Sequence, residues 1–221
     1  MKRILGLCGA MFTILLITGC GTDGQIAPRI VGRAAHTVLQ PVPVPSNPGS
    51  NQTHAPQPVD KNIPAAWYPP PGREKGWKAI VLHHSATHKG SAEKFDDYHK
   101  NGKHWKGVGY DFVIGNGNGS GDGHVEVTFR WREQIAGAHV GGTPGNWANE
   151  DAIGICLVGD FTKTSPTSRQ MNSLVKLIRF LQRRYRIPVG RIYGHSDTPG
   201  YKGRTLCPGK NFPMYRLKRM L

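Results

Sequence analysis

The sequence of 221 residues predicts an α/β domain of the mixed α+β type, with a central mixed β-sheet packed by helices. Three observations support this fold class. Short apolar runs alternate with segments of helical periodicity, two short runs flank a loop rich in Gly and Asn, and turn-forming residues separate the elements. All of these segments follow residue 62, so one folded domain is predicted at residues 63–221.

The first predicted strand leads directly to two histidines. The apolar run Trp77–Leu82 precedes His83 and His84. Because successive side chains of a strand point to opposite faces, only one of these imidazoles can easily face a given site. A short helix is predicted next, from about Ser91 as its N-cap to about Lys100.

A β-hairpin is predicted in the middle of the domain. Its strands are Tyr110–Ile114 and His124–Phe129, and the loop between them is built from Gly, Asn, Ser and Asp. The run Ala152–Val158 is apolar throughout, which indicates a central strand. A last strand at Ile187–Tyr193 is expected to lead to His195.

The clearest helix is predicted at Pro166–Tyr185, with Ser165 as its N-cap and Pro166 at its first position. Its apolar side chains recur at helical spacing and form one face. The opposite face carries basic side chains, which are Lys176, Arg179, Arg183 and Arg184. A solvated surface is the simpler interpretation of this face, and a dedicated anion site is the alternative.

The start of the chain is typical of an exported protein. Lys2 and Arg3 precede an apolar stretch, Ile4–Ile17, that is too short to span a bilayer but fits a secretory signal. The stretch ends in Leu16-Ile17-Thr18-Gly19-Cys20, which resembles the lipobox of bacterial lipoproteins, where cleavage precedes an acylated cysteine. Residues 1–19 are therefore predicted to be a signal peptide, and Cys20 is predicted to be lipidated. An ordinary signal peptide with an incidental Cys20 is the alternative.

The segment that follows is predicted to be a disordered tether. Residues 20–62 are rich in Pro, Gly, Ser, Thr, Asn and Gln, so they cannot bury enough apolar surface to offset the entropy of ordering. At about 3 Å per residue, such a tether could reach about 100 Å. Gly21, rather than Asp, follows Cys20. In Gram-negative lipoproteins this goes with outer-membrane sorting, so the predicted location is the periplasmic side of the outer membrane.

The chain is strongly basic. Its formal net charge is +15, and loss of Lys2 and Arg3 with the signal leaves 27 Lys and Arg against 14 Asp and Glu. This balance predicts an anionic partner, such as nucleic acid, anionic lipid or an acidic wall polymer. An exported protein meets the membrane and the wall, and the sequence has no nucleic-acid motif, so nucleic acid is not expected. No long amphipathic or heptad surface indicates an oligomer, and a monomer is predicted.

Two cysteines remain once Cys8 and Cys20 are assigned to the signal peptide and the lipid. In an exported protein, a disulfide between Cys156 and Cys207 is one interpretation. The alternative is that Cys207 binds a metal together with His83 and His195. Two imidazoles and one thiolate leave a tetrahedral zinc ion with one open position, which is typical of a catalytic site.

Five sequence blocks carry these residues and their neighbours. They are Leu82-His83-His84-Ser85-Ala86-Thr87, Val108-Gly109-Tyr110-Asp111-Phe112, Gly137-Ala138-His139, Asn149–Gly159, and Gly194-His195-Ser196-Asp197 with Thr205-Leu206-Cys207-Pro208-Gly209. In this order the blocks resemble the type 2 N-acetylmuramoyl-L-alanine amidases, a superfamily that includes phage amidase lysozymes and peptidoglycan recognition proteins. The resemblance covers about Trp77–Leu217, and it is specific because five blocks match in order.

The resemblance implies a zinc ion held by His83, His195 and Cys207. It also implies hydrolysis of the amide bond between N-acetylmuramic acid and L-alanine in peptidoglycan. Tyr110 matches a tyrosine that hydrogen-bonds the attacking water or the oxyanion, and Thr205 matches a position that stabilises the developing negative charge.

The resemblance further assigns His139 and His84 to substrate binding. The alternative for His139 is that it orients a metal ligand instead of contacting the substrate. The alternative for His84 is a structural role. Some members place a glutamate base where this chain has Cys156, and a lysine where it has Thr205. The proton acceptor is therefore either Tyr110 together with solvent or a group that the sequence does not identify.

Two other functions compete with the amidase. One is a catalytically silent peptidoglycan-binding module, a role found among recognition proteins that lack the cysteine ligand; the presence of Cys207 argues against it. The other is a zinc peptidase that cuts within the stem peptide by the same metal chemistry. Resemblance at the level of the fold does not show whether the enzyme cuts the bond to muramic acid or a neighbouring bond within the stem peptide.

Overall fold

Five strands form the centre of the fold in the computed structural model, which describes residues 60–221. The strands are β1 (Ala79–His84), β2 (Phe112–Ile114), β3 (Val125–Val127), β4 (Ala152–Leu157) and β5 (Ile192–Gly194). The helices are α1 (Ala92–Asp97), α2 (Phe129–Glu133), α3 (Trp147–Asp151), α4 (Ser168–Tyr185) and α5 (Met214–Arg219). The strand order is β3-β2-β4-β1-β5.

The sheet is mixed, as the sequence predicts. β1 pairs in parallel with β4 and β5, and β2 pairs in parallel with β4. Only the hairpin pair, β2 with β3, is antiparallel. The carboxyl ends of four strands therefore meet at one edge of the sheet, where residues after the strands can converge.

The two faces of the sheet are covered by different helices. Ile80 and Leu82 of β1 are fully buried in the same core cluster as the apolar face of α4. Val81 lies in a separate cluster with Ala148 of α3, on the other face. This alternation carries on to the end of the strand, so His83 points to the face opposite α4.

Helix α4 begins two residues later than the sequence predicts. Its N-cap is Thr167, whose side chain accepts the N–H of Gln170, while the side chain of Gln170 accepts the N–H of Thr167. This reciprocal capping box satisfies two backbone donors at once, and Ser165 offers no such pair. The predicted cap at Ser165 and the predicted N1 position of Pro166 are therefore wrong.

The other differences concern short elements. The predicted last strand is reduced to β5, because Val189–Arg191 forms a 3-10 turn after Pro188. The hairpin strands keep three residues each, and Phe129 starts α2 instead of ending a strand. Helix α1 begins after Ser91 as predicted and continues as a π-turn at Tyr98–Gly102.

The described part of the chain contains its own core. Its buried apolar side chains run from Ile63 to Leu217, and residues 60–221 belong to one compact unit. Within residues 60–221, no helix combines the length and apolarity needed to cross a bilayer. The predicted signal peptide, the lipidation of Cys20 and most of the predicted tether lie outside the described residues.

Candidate metal centre

Three side chains converge at the carboxyl edge of the sheet. One ligand atom each from His83, His195 and Cys207 lies within 4.8 Å of the other two. His83 belongs to β1, and His195 follows the neighbouring parallel strand β5 directly. Cys207 comes from the loop beyond β5 and is buried beside the end of β1. The structure thus brings together the predicted metal ligands.

Backbone contacts hold the ligand-bearing segments against one another. The N–H of Ser196 donates to the carbonyl of Cys207 at 2.8 Å, and the N–H of His84 donates to the Sγ of Cys207 at 3.3 Å. Gly194 packs so closely on Pro208 that a Cβ at Gly194 would lie 2.7 Å from the proline ring. The three ligands are therefore positioned by protein contacts that do not involve a metal.

The spacing of the donor atoms fits zinc. Nδ1 of His83 lies 3.7 Å from Sγ of Cys207. Ordinary zinc–nitrogen and zinc–sulfur bonds at a tetrahedral angle would separate these atoms by about 3.6 Å. Nε2 of His195 is buried and has no hydrogen-bond partner within residues 60–221. His195, one of the three clustered side chains, therefore keeps a ring nitrogen that no protein group uses, as a metal ligand requires.

The protonation of these groups follows from burial. Burial lowers the pKa of His83 well below its usual value, and it lowers the pKa of His195 to about 4. Both imidazoles are therefore neutral at physiological pH, which leaves a lone pair for a metal. Burial raises the pKa of the Cys207 thiol to about 12, although the N–H of His84 opposes this shift. Metal binding at this site must therefore displace the thiol proton.

His139 determines which nitrogen of His83 faces the other ligands. Nε2 of His139 lies 3.3 Å from the carbonyl of Ala152, which can only accept, so this nitrogen carries the proton. Nδ1 of His139 is then an acceptor, and it lies 3.1 Å from Nε2 of His83. Nε2 of His83 therefore donates, and Nδ1 of His83 keeps its lone pair toward Cys207.

A slot built by two glycines encloses the His139 ring. A Cβ at Gly137 would lie 2.4 Å from the ring, and a Cβ at Gly154 would lie 2.5 Å from it. The side-chain oxygen of Asn149 accepts the N–H groups of His139 and of the next residue. Burial lowers the pKa of His139 to about 3, so the ring stays neutral. The role of these glycines and of Asn149 has no signal in the sequence, because the slot forms only where separate segments of the chain meet.

Asp111 lies beneath this slot. One carboxylate oxygen of Asp111 accepts the N–H of Gly154 at 2.8 Å, and the other has no hydrogen-bond partner within residues 60–221. Burial raises the pKa of Asp111 to about 7, against the opposing effects of the Gly154 N–H and of Arg130. This carboxyl holds the backbone of β4 at the point where the His139 ring packs.

Tyr110 stands beside the metal ligands. Its ring centre is 5.2 Å from that of His83, and its hydroxyl interacts with the thiol of Cys156. Burial, followed by the nearby thiols of Cys156 and Cys207, raises the pKa of Tyr110 well above its usual value. Burial likewise raises the pKa of Cys156. Both groups keep their protons, so Tyr110 offers a hydrogen-bond donor rather than a base.

Thr205 and His84 both form hydrogen bonds with Cys207. The hydroxyl oxygen of Thr205 accepts the N–H of Cys207 at 3.2 Å, which leaves its own proton for another acceptor. The ring of His84 points to the opposite face of β1, where Nδ1 accepts the N–H of Phe161 at 3.0 Å. Substrate contacts by His139 and His84 stay predictions, and each ring already has partners inside the protein.

A groove begins at Tyr110 and runs along α1. It encloses about 250 Å3 and is lined by Ser85, Thr87, Lys89, Lys94, Phe95, Tyr98, His99 and Tyr110. Lys89 and Lys94 bring positive charge to its wall, and Tyr98 is 53 % exposed. A bound chain could reach the metal ligands from this groove. Of these residues, only Tyr110 was predicted from the sequence as a site residue.

The cysteines of the described part are not bridged. Cys156 and Cys207 are both free thiols, so the disulfide interpretation does not hold in this structure. Cys156 lies opposite His83 in the register of β1 and β4, with its thiol on the side of Tyr110. Cys207 instead joins the two imidazoles.

Comparison with known families agrees with this site. The family model described as N-acetylmuramoyl-L-alanine amidase matches residues 73–210, which include every residue of the metal centre. The chain belongs to the N-acetylmuramoyl-L-alanine amidase family. The amidase family resemblance of the five sequence blocks is thereby confirmed.

Relatives of this amidase-family chain include recognition proteins. Peptidoglycan-recognition protein SC2 of Drosophila melanogaster is 32% identical over 140 residues, which cover 59% of this chain and 67% of that protein. Among solved structures, the N-acetylmuramoyl-L-alanine amidase LysC from Clostridium intestinale is 32% identical, with a TM-score of 0.55 over 65% of this chain and 84% of that one. A structure of bumblebee PGRP-SA is 23% identical to this chain, with a TM-score of 0.51. The match covers 66% of this chain and 83% of that one, and it supports the fold. The amidase-type α+β fold is thus confirmed.

Proposed function

We propose that this chain is a zinc-dependent N-acetylmuramoyl-L-alanine amidase. Its substrate would be peptidoglycan, in which it would hydrolyse the amide bond between N-acetylmuramic acid and L-alanine. The observation that carries this proposal is the complete ligand set, His83, His195 and Cys207, with donor atoms within 4.8 Å of one another beside a groove. Zinc held there would polarise the scissile carbonyl and activate the attacking water.

The residues around the ligands would position the reaction. His139 holds Nδ1 of His83 toward Cys207, because the bond from Nε2 of His83 to His139 fixes the tautomer. The N–H of His84 donates to Sγ of Cys207, which stabilises negative charge on that sulfur. The ligand set is therefore held in one protonation pattern before a substrate arrives.

Tyr110 and Thr205 would serve the developing oxyanion. The hydroxyl of Tyr110 keeps its proton, since its pKa is raised by burial, and it stands beside His83. The Thr205 hydroxyl accepts from Cys207 and can donate its own proton toward the site. Hydrogen-bond donors placed in advance stabilise charge that forms in the transition state more than they stabilise the ground state.

A peptidoglycan-binding module without hydrolysis is the second candidate. It is favoured by the similarity to proteins named for peptidoglycan recognition. The intact thiol ligand Cys207 favours the enzyme instead. A zinc peptidase acting within the stem peptide would use the same residues and is distinguished by its products.

One experiment separates the three candidates. Residues 53–221 are incubated with purified peptidoglycan, with and without a zinc chelator, and the soluble products are identified by mass spectrometry. An amidase releases stem peptides that begin with L-alanine, and the chelator prevents this release. A peptidase leaves L-alanine attached to muramic acid, and a binding module leaves the polymer intact while sedimenting with it. Either of these two outcomes would refute the amidase.

The location of the protein is part of the same proposal. We propose that Cys20 is acylated and anchors the chain to the outer membrane on its periplasmic side. The lipobox-like run before Cys20 and the residue Gly21 after it support this location. Two or three acyl chains would give stable anchoring, since each buried methylene contributes about 0.8 kcal/mol.

A further inference from the structure

Positive charge is concentrated in the last part of the chain. Residues 161–221 contain 14 Lys and Arg residues and a single acidic residue, Asp197. Helices α4 and α5 both lie in this segment, and neither contains Asp or Glu. The surface formed by these two helices is therefore positively charged.

The outer side of α4 is a basic stripe. Its exposed positions are spaced by three and four residues, as expected for one side of a helix, and they are Arg169, Asn172, Lys176, Arg179 and Arg183. The opposite side of the helix, which includes Leu174 and Leu181, is fully buried. The stripe extends over about 20 Å at the rise of an α-helix.

Helix α5 extends this stripe sideways. The guanidinium of Arg179 donates to the carbonyl of Met220 at 3.1 Å and 2.5 Å, which holds the end of α5 beside α4. Leu217 of α5 is buried in the same core as α4. The exposed residues of α5 are Tyr215, Arg216 and Arg219. We call the basic stripe of α4 and these three residues the cationic face.

Little of this charge is neutralised. Arg169 lies 4.0 Å from Asp122, at the limit of an ion pair. Within residues 60–221, no ion pair involves Lys176, Arg183 or Arg216. Arg184, which does pair with Glu74, lies outside the cationic face. The cationic face is therefore available to an external anion.

The metal centre lies on the other side of the sheet. The apolar face of α4 packs on Ile80 and Leu82, whereas His83 points to the opposite face with Tyr110. A chain held in the groove at Tyr110 therefore does not occupy the cationic face. A partner of the cationic face therefore contacts a surface that is separate from the groove and the metal ligands.

We propose that the cationic face binds the surface of an anionic phospholipid membrane. The cationic face carries six basic residues, and a cluster of about four to eight Lys and Arg on a helical surface attracts the headgroups of anionic lipids. Tyr215 is 77 % exposed among the arginines of α5, and tyrosine is enriched at membrane interfaces. In this orientation the groove and the metal ligands point away from the lipid. The binding does not depend on hydrolysis.

Vesicle sedimentation of residues 53–221 tests the proposal. The probes are vesicles of phosphatidylcholine alone and vesicles that contain phosphatidylglycerol in addition. The test variant carries Lys176→Gln, Arg183→Gln and Arg216→Gln. The matched control carries Lys103→Gln, Lys106→Gln and Lys163→Gln, which removes the same charge from exposed positions outside the cationic face. Circular dichroism and thermal unfolding check that each variant is folded.

The wild type should bind only the anionic vesicles, and added salt should weaken the binding. The test variant should bind about 100-fold more weakly, because each basic residue near the surface contributes roughly fivefold. The control should change by less than about threefold, since charges beyond the Debye length are screened. Hydrolysis of soluble muropeptides should be the same in all three proteins.

Three results would overturn the proposal. Equal loss of binding in both variants would show a response to net charge alone. Equal binding to neutral and anionic vesicles would exclude headgroup charge as the cause. Displacement from the vesicles by soluble poly(glycerol phosphate), at equal phosphate concentration, would identify an acidic polymer as the partner.

Discussion

Nε2 of His83 donates a hydrogen bond to Nδ1 of His139 over 3.1 Å, while Nδ1 of the same His83 ring lies 3.7 Å from the thiol of Cys207. The two nitrogens of His83 therefore have separate tasks. One is bonded to the protein interior, and the other is available to a metal.

Replacement of His139 should weaken zinc binding. His139→Phe fills much of the slot but offers no acceptor to His83, and loss of such an outer partner typically lowers metal affinity by about 10- to 100-fold. His139→Gln keeps an acceptor and should recover part of the affinity. Competition with a chromophoric chelator measures both constants. Equal zinc affinity in wild type and the Phe variant would show that the hydrogen bond does not support the metal.

Cys207→Ser should lose zinc and hydrolysis but keep its fold. The thiolate ligand disappears, whereas β1, which carries His83, and β5, which His195 follows directly, are untouched. Metal content after dialysis and release of stem peptides measure the two losses. Cys156→Ala is the matched control, because Cys156 is a buried thiol outside the ligand set. Full zinc content in the Ser variant would contradict the assignment of Cys207.

Tyr110→Phe should lower kcat by roughly 100-fold, as expected for loss of one donor to an oxyanion. The change removes one hydroxyl and leaves the ring beside His83. Zinc content and KM should change little. Steady-state kinetics on a soluble muropeptide, together with metal analysis, distinguish these effects. A rise in KM at constant kcat would instead make Tyr110 a substrate-binding residue.

Asp111 should make the metal-free protein less stable as the pH rises from about 4 to 7. The pKa of Asp111 is about 7 in the folded state, against an ordinary value of 3.8, so the folded state binds more protons between these limits. The loss approaches about 1.4 kcal/mol for each pH unit crossed. Asp111→Asn keeps an acceptor for Gly154 and cannot ionise, so its free energy of unfolding should depend less on pH.

Urea unfolding at pH 5 and pH 8, with chelator present, tests this expectation for Asp111. The variant should gain stability relative to the wild type at the higher pH. A difference between the two proteins that is the same at both pH values would assign the pH dependence to another group.

Cys20→Ser should release the full chain from membranes without a change in the catalytic rate. The substitution removes the proposed acylation site and leaves residues 63–221 unaltered. Fractionation of cell lysates and muropeptide assays of the released protein measure both properties. Retention of the variant in the membrane fraction, even in high salt that weakens electrostatic docking, would contradict the lipoprotein proposal.

Strand β1 and helix α4 were predictable because each has a local sequence pattern that is long enough to indicate its type of secondary structure. The apolar run before His83 is long enough to indicate a strand, and the apolar positions of α4 repeat at helical spacing. Helices α2, α3 and α5 have only five or six residues each. Isolated helices of this length are unstable, so their formation depends on packing that no local pattern encodes.

The metal ligands were predictable only through family motifs. His83 and Cys207 are 124 positions apart, and no periodicity links them. The role of His139 was less accessible, since it depends on the carbonyl of Ala152 and on two glycines that meet from different segments. Likewise, the sequence did not distinguish Ser165 from Thr167 as the cap of α4, because the capping box requires the position of Gln170.

The N–H of Ser196 donates a hydrogen bond to the carbonyl of Cys207. This bond joins the segment that carries His195 directly to the loop that carries Cys207. A metal that binds at this site must displace the thiol proton of Cys207, whereas the groove at Tyr110 is lined by none of the three ligands. On the proposed function, metal loading and wall recognition would therefore be separable properties of one molecule. On that same proposal, a cell compartment poor in zinc would contain a chain that presents its groove without hydrolysing the amide bond.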